Sequence, residues 1–101
     1  MEGEPGVSKP INAQTATLAN IASSASNVTL FAAATGTIRA RTIYNDSTAV
    51  LFVKFGATAS ATSYTVQIPG GGFYEFPQPV FGGNVYAVWG SANGNARTTS
   101  W

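Results

Sequence analysis

From Thr15 to Trp101 the chain repeats one pattern about every dozen residues: a short run rich in Val, Ile, Phe, Tyr and Thr, then a break of Gly, Asn, Asp, Ser or Pro. β-Branched and aromatic side chains fit a pleated backbone, and breakers at that spacing reverse a chain before a helix can grow. Eight runs carry the pattern, over residues 15–20, 27–33, 37–44, 50–55, 63–68, 73–76, 85–89 and 96–101. They predict an all-β fold: a single small antiparallel β-sandwich or jelly-roll-like domain over 15–101. The first residues read differently. Residues 1–14 hold Pro5, Pro10, Gly3 and Gly6, together with Glu2, Glu4 and Lys9, and show little apolar periodicity. That composition predicts an extended or disordered N-terminal arm. The competing assignment is a helix through 13–26, favoured by its alanines and opposed by the interleaved Thr, Ser and Asn.

The breaks carry their own expectations. Asn45-Asp46-Ser47 offers side-chain oxygens to nearby amides and tolerates left-handed dihedrals, which predicts a hairpin into the run at 50–55. Pro69 followed by Gly70, Gly71 and Gly72 predicts a tight reversal with positive φ. Pro77 and Pro79 cannot donate to a ladder, so they predict a loop or sheet edge. The stretch 57–63, ATASATS, has no large side chain and predicts a solvated loop tip.

Alternation places Leu51, Val53 and Phe55 on one strand face and Val50, Phe52 and Lys54 on the other. Phe73 and Glu75 likewise oppose Tyr74 and Phe76, and Val85, Ala87 and Trp89 oppose Tyr86 and Val88. A sheet with one wet face would alternate more cleanly, so both faces need cover from a second layer, an arm or another subunit. Only 9% of residues are charged, against about 25% in an ordinary domain. A surface that bland associates, and the expectation is a homo-oligomer. The candidate interface residues are Val50, Phe52, Tyr74, Tyr86, Trp101, Arg39 and Arg41. The two arginines share a strand face with Ile43, a conflict met by a bulge, by a partner such as Glu75 or Asp46, or, as favoured, by exposure on an edge.

Chemistry is narrowly bounded. With no histidine and no cysteine, every Ser-His or Cys-His nucleophile and every thiolate metal site is excluded. Two of the four carboxylates, Glu2 and Glu4, fall in the arm, leaving Asp46 and Glu75 as a pair with no sign of a shared cleft. Asp46 beside Asn45 and Ser47 has too few acids for a calcium loop. The expectation is no enzyme, no cofactor and no metal. A net charge of +1 gives no field for nucleic acid or an anionic membrane. No basic start, apolar leader or apolar run of roughly 20 residues marks a signal or a span, so synthesis in the cytoplasm is expected.

The motifs Arg41-Thr42-Ile43-Tyr44-Asn45-Asp46-Ser47, Leu51-Phe52-Val53-Lys54-Phe55-Gly56 and Gly71-Gly72-Phe73-Tyr74-Glu75-Phe76-Pro77 carry a resemblance. With Thr62 to Val66 and the closing pattern around Val88-Trp89 and Ala96-Arg97, the chain over 37–101 resembles small structural proteins of tailed-phage virions. The resemblance implies a capsid decoration or cement protein, trimeric in such cases, bound to the major capsid protein or another virion protein on the capsid surface. A neck or tail accessory protein is the alternative within that class. A receptor- or glycan-binding module using Tyr74, Tyr86 or Trp89 is the alternative outside it.

Overall fold

The computed structural model describes residues 13–101. The arm expected over 1–14 lies outside the described residues apart from Ala13 and Gln14. Eight strands follow: β1 (Thr17–Ala22), β2 (Val28–Phe31), β3 (Arg41–Asp46), β4 (Leu51–Phe55), β5 (Val66–Ile68), β6 (Phe73–Glu75), β7 (Val85–Trp89) and β8 (Asn95–Ser100). There is no helix over 13–26; β1 occupies that stretch. Each expected run holds a strand, and β7 has the expected bounds. The third run is displaced toward its C-terminal end, because residues 37–40 stay outside the strand while Asn45 and Asp46 join it.

Two four-stranded sheets form, in the orders β1-β8-β3-β6 and β2-β7-β4-β5, with every pair antiparallel. The pairings β1 with β8, β2 with β7, β3 with β6 and β4 with β5 describe one long hairpin rolled up on itself. That is the jelly-roll arrangement of a β-sandwich. It corrects one expectation. Asn45-Asp46-Ser47 does not close a hairpin, since β3 and β4 belong to different sheets, whereas Pro69–Gly72 makes the expected tight reversal, with Gly71 at positive φ, and carries the chain from β5 to β6 in the other sheet. Local turn chemistry reverses the chain in both places, but the strand that follows is placed by its distant partner.

Alternation fills the space between the sheets. Leu51, Val53, Val85, Ala87 and Trp89 point inward from the β2-β7-β4-β5 sheet and meet Ile43 and Ala96 from the other. The register of β2 shifts between Thr29 and Phe31, so the consecutive side chains Leu30 and Phe31 are both buried. A bulge permits that, where a regular strand would send one of them to solvent. At one end of the sandwich Phe76 meets Phe31 in a T-shaped pair at 5.5 Å and stacks on Phe55 at 4.7 Å, and Phe55 stacks in turn on Phe81 at 4.9 Å. Such pairs add to the burial of area alone.

At the opposite corner sits Asn45, fully buried. Its amide nitrogen donates to the carbonyls of Ala49 (2.8 Å), Ile68 (3.0 Å) and Pro69 (3.1 Å), and its Oδ1 accepts from the Ser47 hydroxyl at 2.7 Å. One side chain therefore ties the β3–β4 crossing to the β5–β6 crossing. One glycine makes room beside it. Gly94 has φ +66, and a Cβ there would fall 2.2 Å from the Asp46 carbonyl oxygen. Gly71, the one glycine of its trio with positive φ (+77), faces open space instead.

Candidate interaction surface

The two outer faces differ. On the β2-β7-β4-β5 sheet, Phe52 and Tyr86 point outward, as alternation predicts, and both are half-buried. Part of the cover comes from the chain itself. The β4–β5 loop returns Tyr64 over Phe52, ring centroids 5.2 Å apart, and Lys54 donates to the Ser63 hydroxyl. Its Ala59 is buried, with an amide donating to Asn27 Oδ1 at 2.9 Å. The 57–63 segment, expected as a bare loop tip, thus has an anchored residue at its middle. Its small side chains are what let it lie close.

The outer face of the β1-β8-β3-β6 sheet has no such cover among the described residues. Register places Asn20, Arg97, Tyr44 and Phe73 in one cross-strand row, with Leu18, Thr99, Thr42 and Glu75 in the next. Leu18 is 73% exposed and Phe73 65%. Arg97 Nε donates to Asp46 Oδ2 at 2.8 Å, both groups well exposed, so the pair organises the face more than it stabilises it.

The edges of the sheets add a second distinction. A free edge is a template for another strand, and proteins blunt it with shortness, proline, charge or a bulge. β5 and β6 each have three residues, with Pro69 and Pro77 close behind, and β2 is bulged. β1 has six residues in regular register, TLANIA, without proline or charge. Among the described residues, it alone of the four edges carries none of these devices.

The seven residues expected at an interface scatter. Val50 is half-buried just ahead of β4, Phe52 lies at the partly covered face, and Tyr86 stands on that face opposite Lys54. Tyr74 points inward from β6 toward Phe76, 5.5 Å away. Trp101 extends the last ladder through its backbone, its amide donating to the Ala40 carbonyl at 3.1 Å, while the residue stays 37% exposed. Arg39 is half-buried, and its amide donates to the Trp101 carbonyl. Arg41 is no edge arginine: it is 2% exposed. Alternation rightly set it on the face of Ile43, and backbone oxygens take its charge where an acid was sought. Nη1 donates to the Phe81 (2.9 Å) and Gly83 (2.7 Å) carbonyls, Nη2 donates to the Ala32 carbonyl (2.9 Å), and the guanidinium lies 4.7 Å above the Phe31 ring.

Nor do Tyr74, Tyr86 and Trp89 form one aromatic platform. The first two lie on different sheets, one facing in and one out, and Trp89 is in the core. Sequence reasoning missed Leu18 and Phe73. A signal for the first existed: Leu18 and Ile21 are three apart, so a strand must send them to opposite faces. No protein-family model, no curated protein and no solved structure matches the chain.

Proposed function

We propose that this chain is a structural protein of a tailed-phage virion, working as a capsid decoration or cement protein in homo-oligomeric form, with a trimer as the favoured number. The observation that carries the reading is the unblunted β1 edge beside exposed Leu18, Tyr44 and Phe73. A strand from a neighbouring subunit can extend the sheet there, while the outer face gives apolar area to a shell protein. Bound to a lattice, a module of this kind stabilises the assembled state by mass action, and needs no reaction to do so. Jelly rolls build viral shells and lectins alike, so the fold by itself does not choose between those roles.

The test is co-expression with the products of its neighbouring genes and electron microscopy of the particles formed. The expected result is density for the chain on the outside of the shell, with β1 at a contact. Leu18→Lys should cut occupancy at least about tenfold, since a lysine on an edge opposes pairing, while leaving the thermal midpoint unchanged. Density at the neck or tail would move the role to an accessory protein there. A monomer at all concentrations that never joins a particle would refute the proposal.

A further inference from the structure

A guanidinium carries five N–H bonds, and in Arg41 three of them meet backbone oxygens. The Nε–H meets none, although the atom is screened from solvent. One hydrogen of Nη2 is left as well, since that nitrogen has a single acceptor. Nε and Nη2 share one edge of the planar group, the edge a carboxylate grips with both oxygens. Among the described residues the one ion pair is Arg97 with Asp46, so no carboxylate of this region serves Arg41. Burial without a counter-charge pushes its pKa below the usual arginine value.

Arg41 also lines a cleft of about 360 Å³. One wall is the 32–38 connection, outside any strand, and Thr17, Thr37, Thr98 and Ser100 bring hydroxyls to the same space. The size sits at the lower end for small-molecule sites, and the hydroxyls can donate to and accept from a polyol. We propose that this cleft binds the carboxylate of a small hydroxylated molecule, a sugar acid, with Arg41 as its anchor. Nε is screened from solvent, so a ligand reaches it only when a neighbouring group moves aside. This goes beyond the assembly role and does not depend on it.

The probe is glucuronate, with glucose as the control that differs by the carboxylate, and the readout is the Arg41 Nε–H resonance in a ¹⁵N spectrum of the full chain. Arg41→Ala would remove three loop contacts and could unfold the domain. Ser100→Asp is the working variant, because residue 100 faces Arg41 across the strand pair and would place a resident carboxylate beside it. Glucuronate should move the resonance saturably, half-maximal near about 1 mM, the class of a single-anchor contact. Glucose should not move it, and Ser100→Asp should weaken the glucuronate response at least tenfold while keeping a folded amide spectrum. No saturable shift, or an equal shift with glucose, overturns the proposal. So does a resonance that moves, without sugar, on Glu2→Gln with Glu4→Gln, since the chain's own carboxylate would then be the occupant.

Discussion

Replacing Asn45 with alanine removes the amide that joins two crossings between the sheets, and the loss can be worked from its contacts. The Ile68 carbonyl is buried with its donor, so water cannot replace the lost amide there and the loss is the largest of the set, about 1–3 kcal/mol. The Ala49 and Pro69 carbonyls and the Ser47 hydroxyl are only partly buried, so water can replace the lost partner and each costs a few tenths to about 1 kcal/mol. The sum is about 4 kcal/mol, a large fraction of the roughly 5–15 kcal/mol by which a small domain is stable. The thermal midpoint should fall by roughly 15–30 °C, and urea melts should show an unchanged m-value with an earlier midpoint. Asn45→Asp keeps the volume and the Ser47 acceptor but turns an oxygen toward three carbonyls. At neutral pH it should therefore cost more than alanine. A loss under about 1 kcal/mol for Asn45→Ala, or an Asp variant milder than the Ala one, would refute the idea that this amide holds the corner together.

Gly94→Ala and Gly71→Ala separate dihedral strain from steric clash. Both have positive φ, worth about 1–2 kcal/mol for an alanine, but only at Gly94 would the new Cβ run into backbone, so its loss in urea melts should exceed that of Gly71 by at least about 2 kcal/mol. Arg97→Ala breaks an ion pair between two exposed groups and should lower stability by less than about 0.5 kcal/mol, measured the same way.

Much of the fold could be read from the sequence because strand chemistry is local. Each apolar run marks a strand, and period-two alternation correctly grouped Leu51 with Val53 and Val85 with Trp89, though only the fold shows that these sets face the core. Hairpins could not be told from crossings, because Asn45-Asp46-Ser47 has the same turn chemistry either way and the destination of β4 is set by β5 and β7. Arg41 shows a second limit. Alternation fixed its face, yet its partners, the carbonyls of Ala32, Phe81 and Gly83, are backbone atoms that any residue type supplies and no motif marks. The candidate surface was the least legible part. Tyr64 and Phe73 are similar in the sequence, and only the fold makes one a cover for Phe52 and leaves the other bare.

The seating of β8 between β1 and β3 sets an order on synthesis. Ribosomes deliver β8 after its seven companions, so a nascent chain halted before Asn95 has the two flanks of its sheet with nothing to join them. Folding of this domain waits for that late segment. A prematurely stopped product would present sticky, open flanks to quality-control proteases, and would not pass as a shorter working version of itself.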